Sequence, residues 1–178
     1  MDPASKRRIL PDSFTGLEVE DPVKRLMVRF TLATSVRIHE LLGLKVEQIT
    51  NGQKVMEYVE IPVTRKGSKG KPRPDQTRLI YLAEWLRTEL ADYLNVFQIK
   101  EGWLFKSPAH RTAERFRDKP YNQCYVSRWW HCWQVAHGID QPYRWHDLRH
   151  TGATRDLEAG YPLSYVQMKL GHRSIATT

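Results

Sequence analysis

The sequence contains few cysteines and no long apolar run. Its 178 residues include two cysteines, Cys124 and Cys132, and no paired C-x-x-C motif. We expect two reduced thiols near a core, with a zinc site completed by His131 and His137 as the alternative. No stretch approaches the ~20 apolar residues that cross a bilayer, and the first ten residues lack the apolar run of a secretory signal. These absences predict a soluble, intracellular protein that has no membrane partner.

Internal repeats and low-complexity tracts are also missing. The hydrophobic content of 40% argues against disorder. A chain of this length fits one compact domain that can bury a core.

Positive charge is in excess and is grouped along the chain. The formal net charge is +8, and basic residues cluster in "RKGSKGKPR" (65–73), in "HRTAERFRDK" (110–119) and around Arg144, Arg149 and Arg155. Grouping of this kind favours a polyanionic partner, nucleic acid first of all. An acidic protein, a membrane surface, or a basic surface without a special partner are the alternatives that charge leaves open.

The hydrophobic periodicity predicts a mainly helical α+β fold with a small antiparallel sheet near its N-terminal part. Residues 1–20 are expected to form a linker-like arm, and a helix begins at Pro22 with Val23, Leu26, Met27 and Phe30 on one face. A short helix is predicted in "VRIHELLG" (36–43), and strands in "KVEQIT", "VEIPV" and "RLIYL" with a basic turn between the last two. Further helices are expected over 83–94, 122–138, 145–160 and 162–171. The tryptophans of the second of these stretches, Trp129, Trp130 and Trp133, fit a core better than a base-stacking platform.

Histidine and arginine recur at helical spacing near the end of the chain. His146 and Arg149 are three residues apart, so both side chains reach the same side of one helix turn. Arginine offers a planar fork that matches phosphate oxygens, and histidine can donate a hydrogen bond or move a proton near neutral pH. His172 follows Gly171 at a helix end, and Arg37 is expected in the first turn of its short helix. The ordinary alternatives are an Arg37–Glu40 surface pair, packed polar histidines, and solvated turn lysines at Lys66 and Lys69.

The closing motif resembles that of the tyrosine recombinases, the phage-integrase and Xer family. "HDLRHTGAT" and "LGHRSIATT" match the family patterns H-x-L-R-H-T and L-G-H-x-S-I-x-T-T, and Arg149 and His172 are 23 positions apart (172 − 149), as in the family. "ATSVRIHELLGLKVEQI" is similar to the family segment around its first arginine, and "RKGSKGK" to its lysine-bearing hairpin. The resemblance covers about residues 20–178, and we expect the catalytic domain to span 21–178.

The resemblance implies a role for each matching residue. Arg37 and Arg149 would bind the non-bridging oxygens of a scissile DNA phosphate, and His146 and His172 would hydrogen-bond it. Lys66 would protonate the leaving 5′ oxygen, with Lys69 as the alternative. No metal and no cofactor is implied, and the partner is double-stranded DNA, on which the complete protein would assemble as a tetramer in a bacterial, phage or plasmid setting. Basic residues expected to contact DNA elsewhere are Lys69, Lys71, Arg73, Arg111, Arg115, Lys119 and Arg128.

The family's nucleophilic tyrosine would fall nine residues after His172, three beyond Thr178. Tyr161 and Tyr165 occupy positions where the family has structural residues. Twenty residues ahead of the domain are too few for the family's helical core-binding domain. We therefore expect a catalytic-domain fragment, either a piece of a longer protein or a truncated gene product, that binds DNA weakly and cannot cleave it.

Three other functions compete with site-specific recombination. A non-enzymatic DNA-binding pseudo-recombinase or regulator would need no tyrosine in the parent gene. A type IB topoisomerase-like enzyme shares the arginine, lysine and histidine set but would relax supercoils without pairing two sites. A basic protein-interaction domain would keep its binding after charge reversal at Arg37 and Arg149.

Overall fold

The structure is a computed structural model that describes residues 8–52, 54–64, 72–107 and 119–171. Side chains are described in these ranges except at 63–64 and 72–76. The described helices are α1 (Pro22–Thr34), α2 (Ile38–Leu42), α3 (Val46–Ile49), α4 (Glu84–Val96), α5 (Gln123–Ala136), α6 (Trp145–Glu158) and α7 (Leu163–Leu170), and the strands are β1 (Thr50–Asn51), β2 (Lys54–Val55), β3 (Tyr58–Thr64) and β4 (Pro72–Tyr81). The prediction of a mainly helical α+β fold is confirmed.

The chain divides into two compact units. The first comprises Met1–Arg37 and Val126–Thr178, and the second comprises Ile38–Tyr125. Within the described residues, no helix is both long and apolar enough to span a bilayer.

Helix α1 begins where the sequence predicts it. The Asp21 side chain accepts hydrogen bonds from the backbone N–H groups of Val23 and Lys24, both at 3.0 Å, and Pro22 occupies the first turn, where its missing N–H has no consequence. Of the predicted apolar face, Leu26, Met27 and Phe30 are buried and Val23 is half-buried. The helix ends at Ser35, which has the left-handed conformation with φ of 54°.

The described part of the N-terminal arm packs against α6. Leu10 and Val19 are buried, and the backbone N–H of Leu10 donates to the Thr151 hydroxyl at 3.0 Å. Arg155 donates from Nη2 to the carbonyl of Pro11 at 2.7 Å and to that of Phe14 at 2.9 Å. Residues 8–20 therefore belong to the first unit instead of forming a separate linker.

Helix α5 begins with an Asn122 cap and buries Trp130, one of the three tryptophans predicted for the core, while Trp129 and Trp133 are half-buried. The Asn122 side chain accepts from the backbone N–H groups of Cys124 and Tyr125, and Trp130 is buried and stacks on Trp133 with ring centroids 5.4 Å apart. Both cysteines are free but exposed, so they do not lie near a core as expected. In the described part of the chain, no three histidine, cysteine or acidic side chains are grouped as metal ligands would be.

The second unit corrects one strand prediction. Val46–Ile49 is a helical turn, and only Thr50–Asn51 of "KVEQIT" is extended. The backbone N–H of Lys45 donates to the Gln48 side chain at 2.9 Å, which closes the turn locally and outweighs the alternating pattern. A turn at Gly52, which has a positive φ, follows β1, and Thr50 pairs with Val55 across it in antiparallel register.

The main hairpin of the second unit is longer than predicted. Strand β4 begins at Pro72, so part of the stretch expected as a turn is extended. Tyr58 pairs with Tyr81 and Ile61 with Arg78, and the register shifts between Pro62 and Thr64. Val59, Ile61 and Ile80 are buried, while Tyr58 and Tyr81 lie on the exposed face.

Candidate functional site

The start of α6 is held by a buried carboxylate. Asp147 is 1% exposed and accepts from the backbone N–H of Arg144 at 2.8 Å and from its Nη2 at 3.2 Å. This cap fixes the turn in which His146 and Arg149 stand three residues apart. Sequence analysis did not assign Asp147 a role, although an acidic residue three positions after the cap is a recognisable feature of helix starts.

His146 and His150 form an edge-to-face pair on α6. Their ring centroids are 4.6 Å apart and their planes meet at 87°. Desolvation lowers the pKa of His146 to about 4, and the positive charges of His150, Arg149 and Arg37 act in the same direction, against a small opposing effect of Asp147. His146 keeps an exposed surface. The imidazole is neutral at pH 7 and can donate one hydrogen bond and accept another.

We expect an NMR titration of the DNA-free protein to give His146 a midpoint near pH 4, well below the ordinary 6.5. Because the folded pKa is lower than the unfolded one, the unfolded chain binds this proton more readily between the two values. The corresponding contribution to the free energy of unfolding is complete above pH 6.5 and is lost as the pH falls toward 4. Assignment by the spectrum of His146→Gln identifies the resonance, and a midpoint at or above 6.5 would contradict the described surroundings.

Arg149 is buried and its guanidinium contacts backbone. It is 2% exposed, donates from Nη1 to the Ser35 carbonyl at 2.6 Å and donates from Nη2 to the Leu170 carbonyl at 2.7 Å. Arg149 was predicted as a phosphate ligand, and its two backbone partners could not be predicted because both lie far away in sequence. Direct contact between Arg149 and a phosphate stays a prediction.

Arg37 lies at the end of the first unit and immediately precedes α2, which begins at Ile38 and not at Val36 as predicted. It is half-buried, and its charge contributes to lowering the pKa of His146. The structure therefore brings Arg37, His146 and Arg149 into one electrostatic neighbourhood. The Glu40 carboxylate, which sequence analysis considered as a surface partner of Arg37, accepts from Arg78 through both oxygens.

Several predicted site residues lie outside the described residues. Lys66 and His172 are among them, as are the expected DNA contacts Lys69, Lys71, Arg111 and Arg115. Arg73 lies in β4, but its side chain is not described. Lys119 and Arg128 are described and both are exposed.

Tyr161 and Tyr165 pack against each other. Their rings stack with centroids 5.1 Å apart, and Tyr165 also contacts the apolar cluster of Ala153, Val166 and Leu170. This packing fits the structural role that sequence analysis gave the two tyrosines.

Two features near the site were missed in sequence. A Cβ on Gly152 would lie 2.1 Å from the Leu32 carbonyl oxygen, so α6 approaches the last turn of α1 closely at this point. Lys169 is buried and paired with Asp156 at 2.6 Å, and burial lowers the pKa of this lysine while the carboxylate opposes the effect. The close approach of the two helices could have been suspected from the glycine three residues after Arg149, since glycine allows close backbone approach.

Known proteins match this chain over most of its length. The phage integrase family model matches residues 12–178. The tyrosine recombinase XerC of Escherichia coli O127:H6 is 28% identical over 167 residues, covering 91% of this chain and 50% of that protein, and XerD of Pseudomonas putida is 34% identical over 155 residues, covering 86% and 47%. The chain thus spans about half the length of the curated relatives it matches.

Solved structures agree in fold. The crystal structure of XerA recombinase superimposes with a TM-score of 0.60 at 27% identity, covering 89% of this chain and 57% of that one. The Tn1549 transposon integrase, solved in complex with a circular intermediate DNA, gives a TM-score of 0.72 at 17% identity over 99% of this chain and 61% of that one, a likeness of fold alone. Motifs, fold and relatives lead to one conclusion: this chain belongs to the phage integrase family.

Proposed function

We propose that this chain provides the DNA-phosphate site of a site-specific recombinase, an enzyme that cuts and rejoins DNA strands. The observation that carries the proposal is the placement of three motif residues: Arg149 lies on α6 with His146 and donates to the carbonyl of Ser35, two residues before Arg37. The charges of both arginines contribute to lowering the pKa of His146. Membership of the phage integrase family supports DNA strand exchange as the reaction. A relative of the same fold, the Tn1549 integrase, was solved on DNA, which supports double-stranded DNA as the partner.

The proposed chemistry is electrostatic. Attack on a phosphodiester builds negative charge on the non-bridging oxygens, and donors placed beforehand around that charge are each worth ~10²–10³ in rate by analogy with oxyanion holes. Arg37 supplies permanent charge at the site, while neutral His146 supplies an N–H donor at pH 7. An approaching phosphate raises the pKa of His146, because an opposite charge favours the imidazolium form.

Other parts of the proposal rest on the family resemblance. Lys66, or Lys69 in its place, would protonate the leaving oxygen, and His172 would donate to the phosphate. We place the catalytic domain at residues 21–178 and expect the complete protein to self-associate on DNA. The proposal does not assign the nucleophile to Tyr161 or Tyr165, whose rings stack on each other.

We expect the chain to bind a fluorescein-labelled random-sequence duplex with an affinity that falls steeply between about 50 and 200 mM salt, because each neutralised phosphate contributes about −0.9 to the log–log slope. Arg37→Ala is expected to weaken binding about tenfold and to reduce the slope by about 1, as for the loss of one charged phosphate contact. Fluorescence anisotropy across the salt series measures both quantities.

Arg25→Ala is the matched control. It also removes one arginine charge from the first unit, but Arg25 lies ten residues before Ser35, about 15 Å along the axis of α1. We expect it to change affinity less than about twofold, because solvent screens charge over roughly 10 Å. An affinity that does not depend on salt, or equal losses in the two variants, would refute DNA-phosphate binding at Arg37.

A further inference from the structure

The Arg149 guanidinium joins the C-terminal ends of two helices. Ser35 is the residue that caps α1, and Leu170 is the last residue of α7. The two Nη atoms of Arg149 each donate to one of these carbonyls, at 2.6 and 2.7 Å. Carbonyls in the last turn of a helix receive no hydrogen bond from an N–H group of the same helix, and helix C-terminal ends attract positive charge. Two such ends offset the cost of burying this cation.

The tethered carbonyls stand next to predicted phosphate ligands in the sequence. Ser35 precedes Arg37 by two residues, and Leu170 precedes His172 by two. Two residues span at most about 7 Å, so fixing the Ser35 carbonyl limits where the Arg37 side chain can begin. Gly171, which lies between Leu170 and His172, has the left-handed conformation with φ of 64°, so α7 ends at that point.

We propose that Arg149 is a positioning residue, which ties the segment leading to Arg37 to the segment leading to His172 before any DNA is bound. The inference rests on the proposed function for its consequence, but the tether itself is a property of the DNA-free protein. A lysine at this position keeps the charge but presents a single compact ammonium, which cannot supply two parallel donors separated as in a guanidinium fork. One of the two carbonyls then loses its donor.

The first test uses the unaltered protein without DNA. Nitrogen-detected NMR is expected to show separate, slowly exchanging Nη protons for Arg149, in addition to those of Arg78 in its buried pair with Glu40, because two hydrogen bonds at a buried site stop rotation about the Cζ–Nη bonds. The resonance is assigned in the unaltered protein, by through-bond correlation of the guanidinium with the backbone of Arg149. Averaged, rapidly exchanging Nη protons in the unaltered protein would overturn the proposal, and this measurement holds even if Arg149→Lys fails to fold.

The second test compares Arg149→Lys with Arg37→Lys, both without DNA. In Arg149→Lys the amides of Val36, Arg37 and Gly171 are expected to shift and to exchange at least about tenfold faster with solvent, because local opening becomes easier. In Arg37→Lys they are expected to stay within about twofold of the unaltered protein. Unchanged amides in folded Arg149→Lys would reduce Arg149 to a phosphate ligand and overturn the positioning role.

DNA affinity separates positioning from a general loss of stability. If Arg149 places Arg37, the combined variant Arg37→Lys/Arg149→Lys loses less affinity than the product of the two single losses, because Arg37 is already misplaced. Losses that multiply would count against positioning. Should none of the variants bind DNA differently while the amides still respond, the tether stands and the proposed function fails.

Discussion

Gly152→Ala is expected to lower the free energy of unfolding by about 2 kcal/mol. The new Cβ would lie 2.1 Å from the Leu32 carbonyl oxygen and 2.8 Å from the Ser35 hydroxyl. Carbon and oxygen normally approach no closer than about 3.3 Å, so α6 must move by about 1 Å away from α1. Overpacking of this kind costs about 1–3 kcal/mol or more, which outweighs the ~1 kcal/mol that alanine gains over glycine inside a helix. Urea denaturation measures the difference.

Gly52→Ala separates the clash from the general effect of replacing a glycine. Gly52 has φ of +66°, and a Cβ there would meet no atom within 4 Å. We expect a loss of only about 1 kcal/mol from the left-handed backbone. A Gly152→Ala protein as stable as the unaltered one would mean that α6 is not held closely against α1.

Glu40→Ala is expected to cost about 3–5 kcal/mol, because it leaves the Arg78 guanidinium buried without the carboxylate that balances it. The two side chains are 2% and 3% exposed, and they meet through two hydrogen bonds, at 3.1 Å to Oε1 and 2.6 Å to Oε2. The pair joins α2 to β4 inside the second unit. The free energy of unfolding of Glu40→Ala and of the unaltered protein, obtained from urea denaturation, gives the loss.

The double variant Glu40→Leu/Arg78→Met tests whether the loss comes from unbalanced charge. Apolar side chains of similar size remove both charges at once, so we expect most of the lost stability to return. Lys24→Met is the comparison at a more exposed pair, where an ammonium lies 3.0 Å from Asp21, and it should change stability by less than about 1 kcal/mol. If the double variant is as unstable as Glu40→Ala, the loss of stability comes from altered side-chain packing and not from the unbalanced charge of Arg78.

Much of the fold could be predicted because the relevant information is local. Pro22 after Asp21, the apolar spacing of Leu26, Met27 and Phe30, and the Asn122 cap act within a few residues, so periodicity and capping rules locate the helices. The strand predicted over "KVEQIT" was wrong for a related reason. A hydrogen bond from Lys45 to Gln48 competes with an alternating pattern too short to decide the matter.

The sequence by itself determined the helical periods, the excess of positive charge and the motif residues that place this chain in its family. These depend on residue type and spacing, which are visible without a structure. Only the tertiary structure decided that Arg149 holds two backbone carbonyls, that Gly152 lies against Leu32 and that Glu40 pairs with Arg78. Each of these contacts joins residues between 21 and 120 positions apart or depends on interhelical distance. Spacing along a chain records which face of a helix is apolar, but it does not record which distant backbone atom that face will meet.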